Sequence, residues 1–167
     1  MTAQEIKRNT GVIALAHRSI QPGEGHEVGR ELLAQLYREH RGQEMPQIIK
    51  ESRGKPRFAA DSLHFSITHT RHHVFCATAD HPIGIDAEEL DRKLGLQLAE
   101  RVLSETEKAQ YDAAPDKRRA LLTFWVLKEA DAKRTGEGLK GFPNHTAFSL
   151  DDPRVQILEG CLLAVIE

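Results

Sequence analysis

The chain has 167 residues, 40% of them hydrophobic and 29% charged, and its 23 Lys and Arg against 25 Asp and Glu leave a formal net charge of −2. That balance suits a folded domain with a water-facing surface and argues against nucleic acid as the main partner, which favours a basic domain. The longest apolar runs, residues 12–16 and 161–166, fall far below the roughly 18–20 residues of a membrane span. Residues 1–10 are polar and lack an apolar signal core, so the expected location is the cytoplasm.

In chain order, residues 11–16 read as a strand and 24–41 as an amphipathic helix, from the switch between two-residue and three-to-four-residue apolar spacing. Residues 63–68 and 74–79 read as two strands joined by a turn at 70–73. A second half opens with a strand over 83–90. Ser104-Glu105-Thr106-Glu107 has the form of an N-cap with a Glu three residues on, starting a helix that ends before Pro115. The run 115–134 has no interior Gly or Pro and predicts a long helix, and 147–150, 155–158 and 162–166 read as closing strands. Cys76 and Cys161 sit in apolar, strand-like settings without C-x-x-C spacing, which predicts two buried free thiols.

Chemistry concentrates in two segments. In Gly84-Ile85-Asp86-Ala87-Glu88 the period of two puts Asp86 and Glu88 on one face of a strand and Ala87 on the other. In Trp125-Val126-Leu127-Lys128-Glu129-Ala130-Asp131-Ala132-Lys133, residues Trp125, Glu129 and Lys133 share one helical stripe at i, i+4, i+8. Counting Lys128 and leaving aside Asp131, which lies off the stripe, the two segments offer three carboxylates and two lysines. A small hard cation such as Mg²⁺ takes one to three carboxylates and leaves positions for phosphate oxygens, so the set suits metal-assisted phosphoryl transfer. Each fragment also has a plainer reading: Glu-x-x-x-Lys is a common solvated helix pair, and Asp-x-Glu a common loop flank.

Two further patterns fail their context. Gly136-x-Gly138-x-x-Gly141 spells a dinucleotide fingerprint, but it follows a helix where that motif must link a strand to one, and reads as a helix stop. His69, His72 and His73 suggest zinc, yet they fall in a predicted hairpin where helical ligand spacing does not apply. His69 is preferred as a phosphate contact, with His72 and His73 exposed.

The two segments together resemble the single-chain, surfactin-type 4′-phosphopantetheinyl transferases, whose pattern is G-x-D-x-E followed some forty residues on by W-x-x-K-E-x-x-x-K. Gly54-Lys55-Pro56, Phe65-Ser66-Ile67-Thr68-His69 and Gly136-Glu137-Gly138-Leu139 resemble the family's flanking blocks, with Thr68 where Ser is usual and Ala87 where a bulkier apolar residue is common. The resemblance implies an α+β pseudo-dimer of two similar lobes, 1–80 and 81–167, with the active site in the cleft between them. It implies that Asp86, Glu88 and Glu129 hold Mg²⁺ on the pyrophosphate of coenzyme A, that Lys133 contacts that pyrophosphate, and that Lys55, Thr68 and His69 bind the 3′-phosphate end. His17, Arg18, His26 and Arg30 are open candidates for an N-terminal clamp on coenzyme A.

The implied reaction moves 4′-phosphopantetheine from coenzyme A to a serine of an apo carrier protein, an acyl carrier protein first among them, releasing adenosine 3′,5′-bisphosphate. The nucleophile then belongs to the partner, which agrees with the lack of any G-x-S-x-G elbow or local covalent signature in this chain. Glu129 is the first choice for general base and Lys133 acts beside it, with water on the metal as the rival base. Lys117, Arg118, Arg119, Arg134 and Lys140 offer charge to an acidic carrier, although cations at a helix end also suit its macrodipole. Internal pseudo-symmetry implies a monomer. The competing readings are a non-catalytic binding module for coenzyme A or a carrier, and a Mg²⁺-dependent phosphohydrolase.

Overall fold

The computed structural model describes residues 2–8, 11–50, 54–138 and 146–167, and of residues 2–8, 11 and 12 the backbone alone. Strand β1 (Thr2–Arg8) pairs antiparallel with β2 (Gly11–Ser19). Helix α1 (Gly25–Arg41) follows and ends on Gly42 in the left-handed region. A two-residue ribbon, β3 (Ile48–Ile49) with β4 (Arg57–Phe58), leads to the hairpin of β5 (His64–His69) and β6 (His73–Ala79). Its turn is closed by the Thr70 N–H donating to the His73 carbonyl at 2.8 Å. Then come β7 (Gly84–Glu89), a 3-10 turn (Leu96–Leu98), α2 (Ala99–Val102), α3 (Glu105–Ala113), α4 (Lys117–Thr135), β8 (Val155–Leu158) and β9 (Cys161–Ile166).

The strands form a four-stranded sheet in the order β1-β2-β6-β5 and a three-stranded sheet in the order β7-β9-β8, with every pairing antiparallel. Period-two alternation turns these into layers. Ala14, Ala16, Val74 and Cys76 face α1, where Leu32, Leu33, Leu36 and Tyr37 cover them. The alternate residues Ile13, Leu15, Phe75 and Ala77 pack instead against Ile85, Ala87, Leu163 and Val165 of the smaller sheet. On the outer face of that sheet, Leu162, Ala164 and Ile166 pack against Leu121, Phe124 and Leu127 of α4. The order of layers is therefore helix, sheet, sheet, helix.

The alternation in β7 has a consequence for chemistry. Ile85 and Ala87 fill the core between the sheets, so Asp86 and Glu88 point to the α4 side. Gly84 shares that side at the point where β7 and α4 approach most closely: a Cβ there would overlap the Ala130 carbonyl and the Arg134 amide. Gly84→Ala is expected to destabilise the fold by about 1–3 kcal/mol or more, as overpacking against backbone does, and a urea titration reads this as a lower midpoint at unchanged slope.

Two capping signals hold as read. Ser104 and Glu107 form a complete capping box on α3, and Gly136 ends α4 in the left-handed conformation at φ 78°. Three expectations are corrected. Residues 147–150 are not a strand, because their backbone groups are taken by side chains of α3: Glu107 accepts from the Phe148 N–H at 3.0 Å, and Gln110 accepts from the Leu150 N–H at 3.1 Å. β1 lay in a stretch read only as polar, and it owes its place to a full ladder with β2. His73 is half-buried, not exposed, with its Nδ1 3.6 Å from the Cys161 sulfur. Cys76 and Cys161 are buried free thiols, as expected.

Candidate active site

A pocket of about 310 Å³ collects residues from three elements: Thr68 and His69 from the end of β5, Asp86 and Glu88 from β7, and Trp125, Glu129 and Lys133 from one face of α4. The helical stripe and the strand face read from the sequence thus meet on opposite walls. Arg92, in the turn after β7, joins them without having been singled out by any motif. Its only sequence signal is its position four residues beyond Glu88, to which it is ion-paired at 2.9 Å.

Two cations hold two of the carboxylates. Lys133 Nζ lies 2.6 Å from Asp86 Oδ1, and the Thr68 hydroxyl donates to the same oxygen at 3.0 Å. Asp86 Oδ2 is buried and makes no hydrogen bond. Burial pushes the Asp86 carboxyl above its ordinary range, against the opposing pull of Lys133, Thr68 and the Ala87 N–H. Glu88 is also raised, first by burial and then by Asp86, while Arg92 and the Trp125 indole stabilise its charge. Glu129 is pushed up to about 7, mainly by burial and then by the nearby Asp86. The third carboxylate is therefore poised near neutrality in the field of the other two.

Whether these residues fit a dication is a question of donor chemistry. Among the described residues no three His, Cys, Asp or Glu side chains are drawn into a ready-made coordination sphere. The cluster nevertheless offers hard oxygen donors, an orphaned buried oxygen on Asp86, and carboxylates whose charges oppose one another. A hard cation relieves the last two conditions, and the oxygen donors fit Mg²⁺ better than a softer metal that prefers nitrogen or sulfur.

The remaining expected residues divide. Lys55 lies outside this pocket in an adjoining one of about 360 Å³, with Arg30, Lys50, Phe65 and Ile67, and Lys133 lines both. The Lys55 ammonium donates to the Ile83 carbonyl, and burial, helped by Arg134, lowers it to about 8. His69 is exposed, edge-on to His26 with ring centroids 5.3 Å apart. Of the four N-terminal candidates, Arg30 and His26 come near these pockets, while His17 stacks on Phe75 and Arg18 pairs with Glu31, and neither lines them. Gly136 and Gly138 line the second pocket; Leu139, Lys140 and Gly141 lie outside the described residues.

Lys128 is the clear correction within the motif. It points away from the carboxylates into the protein, where its ammonium sits 2.8 Å from Glu107 Oε2, the two side chains being 6% and 0% exposed. Sequence spacing already separates it from the stripe, since 128 and 129 lie about 100° apart on a helix.

Comparison with known proteins gives a consistent likeness. Residues 82–162 match the family model of the 4′-phosphopantetheinyl transferase superfamily. The chain is 34% identical over 131 residues to the 4′-phosphopantetheinyl transferase psf-1 of Bacillus pumilus, covering 75% of this chain and 56% of that protein. It is 35% identical over 121 residues to 4′-phosphopantetheinyl transferase HetI of Nostoc sp., covering 66% and 51%, and 38% identical over 79 residues to 4′-phosphopantetheinyl transferase Sfp of Bacillus subtilis, covering 46% and 34%. The chain thus spans about half or less of the length of these curated relatives. No helix among the described residues is long and apolar enough to cross a membrane.

Proposed function

We propose, from a chain that matches the 4′-phosphopantetheinyl transferase superfamily over residues 82–162, that this protein transfers the 4′-phosphopantetheine arm of coenzyme A to a serine of an apo carrier protein. The observation that carries the reading is the convergence of Asp86, Glu88, Glu129 and Lys133 on one pocket, with a buried Asp86 oxygen left without a partner. Asp86, Glu88 and Glu129 would hold Mg²⁺, which when bound supplies positive charge to the pyrophosphate oxygens and eases the departure of the leaving group.

The chain's own residues do the rest. Lys133 lines both pockets and is placed to exchange its Asp86 contact for a pyrophosphate oxygen. Lys55, Arg30 and Lys50 give the adjoining pocket the cationic character that the 3′-phosphate end of coenzyme A needs, with His69 at the edge of the first. Glu129 takes the proton of the incoming serine hydroxyl. The serine oxygen then bonds to the β-phosphorus, the bond from that phosphorus to the bridging oxygen breaks, and its electron pair leaves with adenosine 3′,5′-bisphosphate. Little covalent chemistry is asked of the protein, and positioning with charge neutralisation suffices.

The same reading takes the chain as an α+β pseudo-dimer and a monomer, with lobes 1–80 and 81–167 and coenzyme A in the cleft between them. Arg92, Lys93, Arg118 and Arg119 outnumber Asp91 and Asp116 along a groove beside the pocket and offer positive charge to an acidic acyl carrier protein, a use that favours fast, oriented encounter. The test is the intact mass of an apo acyl carrier protein after incubation with the chain, coenzyme A and Mg²⁺. A gain of one phosphopantetheine, abolished by chelator, is the expected result. Coenzyme A binding without any gain on several carriers points to a binding module, and bisphosphate release without a carrier to a phosphohydrolase.

A further inference from the structure

We infer that Thr68 is a positioning residue for Asp86, its hydroxyl fixing Oδ1 so that Oδ2 is the oxygen offered to the metal. This rests on the reading above, in which Asp86 is a Mg²⁺ ligand. Thr68 is 4% exposed at the end of β5, and its hydroxyl bonds twice to β7: it donates to Asp86 Oδ1 at 3.0 Å and accepts from the Ala87 N–H at 3.4 Å. Lys133 donates to the same Oδ1, while Oδ2 is buried with no hydrogen bond. A structural carboxylate at this depth gains by sharing its donors between both oxygens. Two donors on one oxygen and none on the other is the arrangement of a carboxylate whose second oxygen awaits a cation.

A threonine hydroxyl has one proton. In this structure that proton is given to Asp86, so the threonine has a partner on the metal side besides the 3′-phosphate end that the family resemblance implies for it. Ser66 supplies an internal contrast. Two residues earlier on β5, its hydroxyl accepts from the Ile85 N–H at 3.0 Å, so both residues stitch β5 to β7. Of the two, Thr68 alone also touches Asp86.

The experiment titrates Mn²⁺, as a spectroscopic stand-in for Mg²⁺, into the full chain without coenzyme A, following free Mn²⁺ by electron paramagnetic resonance. Coenzyme A affinity is measured separately in EDTA by calorimetry. Thr68→Val is expected to weaken Mn²⁺ by about tenfold to a hundredfold, the usual cost of losing a group that orients a metal ligand, and Thr68→Ser to restore it to within about threefold. Coenzyme A affinity in EDTA falls by far less than Mn²⁺ affinity in Thr68→Val and stays at the wild-type value in Thr68→Ser. Should the valine variant misfold, Thr68→Ala carries the same expectation. Ser66→Ala, which loses the strand contact alone, lowers the melting temperature and leaves Mn²⁺ affinity in place. Unchanged Mn²⁺ affinity in Thr68→Val, or a loss confined to coenzyme A, overturns the inference while the metal site stands. Failure of the wild-type chain to bind Mn²⁺ both without and with coenzyme A overturns the metal site itself, and this inference with it.

Discussion

Replacing Glu129 by glutamine is expected to lower the rate of phosphopantetheine transfer by a factor of about 10²–10⁴, the range that a positioned general base contributes, with the fold intact. Glutamine keeps the shape of the side chain and one carbonyl oxygen for a metal, and removes the group that accepts the proton. The structure makes this carboxylate the one to choose. Asp86 is held by Lys133 and Thr68, and Glu88 by Arg92, whereas Glu129 is half-buried, faces the same pocket, and has no ion pair among the described residues. Time-resolved intact mass of the carrier measures the effect, and coenzyme A binding by calorimetry should change far less than the rate.

The same residue sets the expected pH dependence. Its carboxyl is pushed up to about 7 by burial and by Asp86, and a base works only when deprotonated. The rate at subsaturating metal should therefore rise with pH through about 7. Saturating Mg²⁺ favours the carboxylate and moves the inflection lower. Metal affinity should climb over the same interval, since binding must displace the proton. The Glu129→Gln variant should lose this limb. A rate that falls as pH rises through the interval would mean that the protonated acid is the active form, and would sink the assignment of Glu129 as base.

What could be read in advance follows from which interactions are local. The period of two in residues 83–90 and the i, i+4, i+8 stripe of Trp125, Glu129 and Lys133 are properties of single elements, and both survive folding, because burial of Ile85 and Ala87 on one face forces Asp86 and Glu88 to the other. The capping box of Ser104 and Glu107 is equally local and equally legible. What joins distant segments was not. No periodicity announces that Thr68, 18 residues before Asp86, donates to its carboxylate, or that Glu107 collects the Phe148 N–H from 41 residues away and so keeps 147–150 from pairing as a strand. Lys128 lies between these cases: helix geometry turns it about 100° from Glu129, but only the fold supplies its partner, Glu107, from 21 residues earlier.

That divergence yields the second large effect. Lys128→Met is expected to destabilise the protein by about 3–5 kcal/mol, as removal of one partner from a buried ion pair does, and to lower the melting temperature by about 10 °C at roughly 2–4 °C per kcal/mol for a chain of this size. Glu107 is wholly buried and bears three loads. It accepts from the Ser104 N–H at 2.8 Å to cap α3, accepts from the Phe148 N–H at 3.0 Å to seat the following loop, and pairs with Lys128. Without the ammonium a charge stays buried against α4, and the loss reaches α3 and the loop together. Since Lys128 does not line the pocket, the folded variant should bind coenzyme A and turn over carrier at close to the wild-type rate below its melting range. The double variant Lys128→Met with Glu107→Gln should recover part of the stability by removing the stranded charge, the coupling that a double-mutant cycle isolates. A Lys128→Met protein that melts like wild type yet no longer transfers would reverse the assignment, giving Lys128 to chemistry in place of architecture.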